Sequence, residues 1–224
     1  MRLDGPQKIM KAQPRLQIRE GMSVEDVRKH GSEGQKLAAS LFDTDGAYMD
    51  SNNNWVKDGI FNKKEAEYFN RFNFSVKDGS FTMYDRESGH VTEIKYSNIE
   101  DLKKVLNASV NEPTCISEFG KTGEQKLYFG SVGATEGKTT IDLTNRTVDV
   151  NGLTNGSIYT NGNKTTVRNS NLELVSSSSK EVDIQNVKYH GLFGDRETGV
   201  TVRPKTILNV DDKSKVDIER KDKE

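Results

Sequence analysis

The chain has 224 residues, with 33 Lys plus Arg, 34 Asp plus Glu and one cysteine. A single thiol excludes an intrachain disulfide scaffold, and a formal charge of -1 removes the basic footprint of a nucleic-acid or anionic-membrane binder. With 32% hydrophobic against 30% charged residues, a core has to be thin or assembled from short apolar strands.

No apolar run approaches the roughly 20 residues of a bilayer span, and Met1–Pro6 lacks the apolar stretch of a secretory signal. The expectation is a soluble chain, extracellular or cell-surface rather than cytoplasmic. Residues 1–20, with Arg2, Lys8, Lys11, Arg15, Arg19, Pro6 and Pro14 and no sustained periodicity, read as an extended arm. Residues 21–110 read as an α+β domain, 111–138 as a connecting segment and 139–224 as an all-β domain.

In chain order, Ser23 caps a short helix that opens on Val24-Glu25-Asp26 and closes at Gly31. Ser32 caps a second, whose stripe Leu37, Ala38, Leu41 and Phe42 ends near Phe42. A third starts near Lys63, with Asn62 and Glu65 in capping-box spacing and Ala66, Tyr68, Phe69 and Phe72 on its apolar side. The period then changes: Phe74, Val76, Phe81 and Met83 surround Lys77-Asp78-Gly79-Ser80, and Thr92, Ile94 and Tyr96 alternate, which predicts a hairpin or meander. Ser97 and Glu100 make a capping-box pattern for a last helix carrying Ile99, Leu102, Val105 and Leu106.

The segment richest in chemistry runs from Asp43-Thr44-Asp45-Gly46 to Asp58-Gly59-Ile60-Phe61-Asn62-Lys63-Lys64-Glu65. With the eleven residues Ala47–Lys57 set aside, the two pieces join into DTDGDGIFNKKE, which resembles the twelve-residue calcium loop of the EF-hand family. A calcium ion takes about 6 to 8 hard oxygen ligands. The resemblance implies Asp43, Asp45 and Asp58 as ligands at loop positions 1, 3 and 5, Gly59 at the sharp turn and the Ile60 carbonyl at position 7. It further implies Asn62 acting through water at position 9 and a bidentate Glu65 at position 12. The helix before Asp43 and the helix after Glu65 supply the helix–loop–helix flanks, so the likeness covers residues 32–72. A second frame starts at Asp50, with Asn52 at position 3 and the insertion shortened to Asn54–Lys57. The Asp43 frame is preferred because Gly46-Ala47-Tyr48-Met49 is a poor helix end. Loop closure tolerates the longer insertion, since each doubling of a flexible loop costs only about 0.6 kcal/mol. Around Asp78-Gly79 the ligand positions are absent, so the loop stands alone, which suits a structural or weak site. The polar-turn alternative for the same residues does not require Glu65 six positions after Gly59. The excursion carries Trp55, read as packing back onto the fold rather than anchoring a partner.

From Thr139 a phrase recurs in Thr140-Ile141-Asp142-Leu143, Val148-Asp149-Val150, Val167-Arg168-Asn169, Val182-Asp183-Ile184, Val200-Thr201-Val202 and Val216-Asp217-Ile218. Spacings of 15 to 19 residues between successive phrases from Val148 on suit stacked turns of chain. This half resembles right-handed parallel β-helix proteins, and the fold expected is a small parallel β-solenoid following the α+β region, with an antiparallel β-sandwich as the rival. If the phrases stack, Asp149, Arg168, Asp183, Thr201 and Asp217 form an outward row without like-charged neighbours.

Cys115 has no nucleophile context, and His30, His90 and His190 show no zinc spacing. No catalytic residue is assigned. The expected function is a calcium-binding, non-enzymatic interaction or structural protein whose β-rich surface meets a protein or a glycan, with Asp43, Asp45, Asp58, Ile60, Asn62 and Glu65 holding Ca²⁺. The competing expectation is a carbohydrate-active β-helix enzyme with structural calcium, in which Asp149 and Asp183 would act as acid and base.

Overall fold

The computed structural model describes residues 15–43, 48–49, 51, 55–108, 117–119, 125–127 and 134–222. The protein is mostly β, with few and short helices. Helix α1, Val24–His30, is closed by a reciprocal capping box between Ser23 and Asp26, and α2, Glu33–Ala38, by the same device between Ser32 and Gln35. A single 3-10 turn, Ala39–Leu41, ends at Phe42. The two-residue strands β1, Tyr48–Met49, and β2, Trp55–Val56, pair antiparallel, Tyr48 opposite Val56. Helix α3, Lys63–Asn70, starts on the Asn62–Glu65 capping box that its sequence spells.

The expected meander forms from β3, Phe72–Lys77, β4, Ser80–Asp85, and β5, Val91–Lys95, with Gly79 at φ 77° in the first turn. Helix α4, Ile99–Ala108, begins one residue later than its capping-box pattern suggests. Asn98 Oδ1 accepts from the Glu100 N–H, while the Ser97 hydroxyl is drawn away to Thr144 at 2.6 Å. Strands β6, Ser117–Phe119, and β7, Gln125–Leu127, make a small antiparallel pair.

Strand β8, Ala134–Asp142, then lies parallel to β5 and antiparallel to β9, Thr147–Leu153. Its phrase Thr140–Leu143 is therefore not a member of the parallel series. One sheet runs without a break from the meander into the C-terminal half, so the divide expected between residues 110 and 139 falls inside a hydrogen-bonded surface.

From β9 onward the chain makes four passes, each laying one strand in the large sheet and one in a second, four-stranded sheet. The first holds β9 and β10, Ser157–Thr160. The second holds β11, Lys164–Asn171, and β12, Leu174–Ser177. The third holds β13, Glu181–Gly191, a hairpin strand β14, Gly194–Arg196, and β15, Thr198–Val202. The fourth holds β16, Ile207–Val210, and β17, Val216–Arg220. Pairing between passes is parallel throughout, which an antiparallel sandwich would not show.

Register pairs Thr165 with both Val148 and Val182, and Val167 with both Val150 and Ile184, a repeat of 17 residues. These side chains are buried, as are Ile158, Val175, Val200 and Val202 of the second sheet, and alternation along each strand leaves the intervening residues more exposed. The same repeat stacks left-handed residues at one corner: Gly152, Asn169 and Asn186 have φ of 83°, 49° and 52°. The expected row of Asp149, Arg168, Asp183, Thr201 and Asp217 does not form. Asp149 and Asp183 flank Thr166, Arg168 is in register with Gln185, and Thr201 and Asp217 belong to the second sheet. Arg168 still reaches Asp149 diagonally, at 3.1 Å.

Residues 15–20 of the expected arm are docked. Gln35 brackets the Leu16 backbone with hydrogen bonds of 2.9 and 2.7 Å, Asn70 does the same to Ile18 at 2.9 and 2.8 Å, and Ile18 is buried. No helix among the described residues is long and apolar enough to cross a membrane.

Candidate metal centre

An aromatic cluster sets the starting point. Phe42 is buried with its ring 5.1 to 5.9 Å from those of Tyr68, Phe69, Phe72 and Phe74, which ties the end of the 3-10 turn to α3 and β3. Asp43 follows directly and is wholly buried, and among the described residues neither carboxylate oxygen has a hydrogen-bond partner of normal geometry.

The β1–β2 pair returns the chain from its excursion, and Lys57 and Asp58 follow. Asp58 Oδ1 accepts from the Ile60 N–H at 2.9 Å across Gly59, whose φ of 80° suits a residue without a Cβ. Ile60 forms an antiparallel bridge with Ser23, flanked by Val24 N–H to Gly59 C=O at 2.9 Å and Phe61 N–H to Met22 C=O at 2.8 Å. Because backbone groups alternate sides along an extended strand, the Ile60 carbonyl turns away from this ladder, to the side where Asp58 lies. Phe61, next along, is buried against Phe69, with 5.5 Å between ring centres. Asn62 Oδ1 accepts from the Glu65 N–H at 2.8 Å and Glu65 Oε1 from the Asn62 N–H at 2.9 Å, so the helix cap also orients the buried Glu65 carboxylate.

Burial first, then the neighbouring carboxylates of Asp58 and Glu65, push the Asp43 carboxyl up to about 7, with the Gly59 N–H opposing. Three of the expected acids are thus electrostatic neighbours. The sequence reading missed Lys57. Its ammonium donates to the Ser40 carbonyl within the 3-10 turn, and burial lowers it to about 8 against the pull of Asp43. A lysine directly before Asp58 is the only signal of this, and a lysine in a polar loop ordinarily points to solvent.

Asp45, and Asp50 and Asn52 of the alternative frame, lie outside the described residues, as do Cys115 and the Trp55 side chain. Asp43 is the first-position acid seen beside Asp58 and Glu65. Among the described residues no group of three or more His, Cys, Asp or Glu side chains has the geometry of a metal-holding cluster. The three histidines are dispersed: His30 is exposed, His90 is buried with Nε2 3.0 Å from the Thr139 hydroxyl, and His190 is paired with Asp195 at 2.6 Å. No family model, curated protein or solved structure matches the chain.

Proposed function

We propose that residues 43–65 form a calcium-binding loop of EF-hand type, interrupted by the β1–β2 excursion, and that the protein is a calcium-stabilised, non-enzymatic interaction or structural protein whose passes from residue 147 build a small right-handed parallel β-solenoid. The observation that carries the calcium reading is the wholly buried Asp43 carboxylate, crowded by the carboxylates of Asp58 and Glu65. A buried carboxylate in that condition costs several kcal/mol unless a cation or a proton compensates. The donor set suits a hard dication: Asp43, Asp45, Asp58 and Glu65 supply carboxylates, Ile60 a carbonyl and Asn62 a water-bridging amide. Bound calcium would supply the positive charge that links Asp43, past the end of the 3-10 turn, to the first turn of α3, so ion binding would add to folding stability.

The solenoid reading rests on the 17-residue register shared by Val148, Thr165 and Val182 and on the usual right-handedness of parallel crossovers. The surface it presents is polar, with ion pairs Arg168–Asp149 and Lys164–Asp183, and suits a protein or glycan partner. The glycan-cleaving alternative has less support. Asp149 and Asp183 stand on either side of Thr166, and each is already held in an ion pair, with Arg168 and with Lys164.

Terbium luminescence tests the reading, with Trp55 as sensitiser and calcium as competitor. Terbium emission that calcium displaces, lost in Glu65→Gln and Asp43→Ala, is expected. Equal emission from parent and variants, or none from any, would remove calcium from the account.

A further inference from the structure

Lysine is among the residues least often taken out of water, yet Lys57, between β2 and Asp58, is partly buried. Its ammonium donates to the Ser40 carbonyl, shortly before Asp43 in the chain. That acceptor is itself fixed. The Ser40 hydroxyl lies 3.0 Å from Asn107 Oδ1 and 3.3 Å from the Leu106 carbonyl, which ties the 3-10 turn to the last turn of α4. On the other side, Asp58 follows directly in the chain, its Oδ1 accepting from the Ile60 N–H at 2.9 Å. The positive charge is therefore lodged between the half of the loop that enters at Asp43 and the half that returns at Asp58.

Asp43 acts on this ammonium electrostatically and favours its charged form, against the burial that disfavours it. The attraction does not neutralise Asp43, because burial and the carboxylates of Asp58 and Glu65 still raise that carboxyl. Lys57 thus stands at the margin of the acidic group, and among the described residues its hydrogen bond goes to a carbonyl rather than to a carboxylate. Lys63 and Lys64, in the first turn of α3, carry the same charge close by in sequence but are exposed, where water and salt screen it. A charge shielded from water acts on its neighbours more strongly than one in bulk solvent.

We infer that Lys57 sets the calcium affinity of the loop: its ammonium, seated on the Ser40 carbonyl, repels the dication from the Asp43 end of the site, so that the site fills only at higher calcium. The inference rests on the calcium reading proposed above and names the residue that keeps that site weak. Calcium loops tune affinity through the charge gathered at the ion and through rigidity. Lys57 alters the charge from outside the ligand set and, by its bond to Ser40, keeps that charge in a fixed place.

Calcium titration calorimetry at pH 7 reads the affinity, with circular dichroism confirming that each variant is folded. Lys57→Met should bind calcium about tenfold more tightly than the parent, the size of effect expected from removing one partly shielded charge near a dication. Lys57→Gln, a neutral side chain that packs differently, should agree with it. Lys57→Arg keeps the charge and should stay within about threefold of the parent. Lys63→Met with Lys64→Met should change affinity by about twofold or less, since those charges are screened. Neutral variants at Lys57 that bind no more tightly than the parent, a Lys57→Arg that tightens as much as Lys57→Met, or equal tightening on changing Lys63 and Lys64 would each overturn the inference and leave the calcium loop standing. Absence of calcium binding in the parent and in every variant would remove the loop itself, and the inference with it.

Discussion

Arg71 and Asp85 meet in a fork, Nε to Oδ1 at 2.7 Å and Nη2 to Oδ2 at 2.6 Å, where the end of α3 crosses the end of β4. Burial by itself would raise the Asp85 carboxyl, but the Arg71 hydrogen bonds, the Ser88 hydrogen bond and the Glu87 N–H outweigh it and hold the group below the usual carboxylate range. An acid lowered in the folded state stabilises fully above its unfolded pKa of about 3.9 and loses that contribution as pH falls through its own lower value. Asp85→Asn should therefore cost about 2–3 kcal/mol at pH 7, since it leaves Arg71 less well paired in a largely buried setting. Urea titrations at pH 7 and below pH 4 should show the parent and the variant converging on the acid side.

Asn169 carries both a backbone demand and a side-chain ladder. Its φ is 49°, it accepts the Asn186 side-chain amide at 3.0 Å, and it donates to Asn151 Oδ1 at 3.0 Å. Asn169→Gly keeps the left-handed backbone and loses only the ladder, for about 1 kcal/mol. Asn169→Val adds β-branched strain at positive φ and should cost about 2–4 kcal/mol in all. Thermal melts should rank the parent first, Gly second and Val last.

Gly34 in α2 lets that helix press on β3. A Cβ there would stand 2.6 Å from Phe74 Cβ and 2.8 Å from its backbone carbon. Alanine gains about 1 kcal/mol of helix propensity, but overpacking against backbone costs about 1–3 kcal/mol, so clash outweighs propensity. Gly34→Ala should lower stability by up to about 2 kcal/mol in chemical denaturation, and Gly34→Leu should prevent folding.

For Asp43 the sign of the substitution effect should depend on calcium. In chelator, Asp43→Asn removes a buried carboxylate crowded by Asp58 and Glu65 and should raise stability by about 1–3 kcal/mol. With excess calcium the parent gains binding free energy that the variant lacks, so the order should reverse. Calorimetry in the two buffers makes the comparison, and an unchanged order would count against the calcium loop.

The site was legible in sequence where local rules operate. Asn62 and Glu65 stand at capping-box spacing and do cap α3, and Gly59 takes the positive φ that its place after Asp58 implies. The neighbourhood of Asp43 with Glu65 could only be inferred by removing eleven residues from the text, and Lys57 gave no signal of its approach. Both depend on where the β1–β2 pair returns the chain, a matter of tertiary closure.

The composition that excluded a thick core is consistent with what forms, because each pass buries alternate residues such as Val148 and Val150 between two sheets. Periodicity alone determined that these segments are strands and which face turns inward. It did not determine register: Val148 matched to Val167 looks as good in text as Val148 matched to Thr165, yet only the second brings Gly152, Asn169 and Asn186 to one corner. The Ser157–Thr160 and Leu174–Ser177 strands escaped notice for the same reason, since each has little apolar pattern until its neighbour supplies one. Local propensity acts within a few residues, whereas a parallel pass is selected by hydrogen bonds and packing between residues 17 apart, and that selection belongs to the tertiary structure.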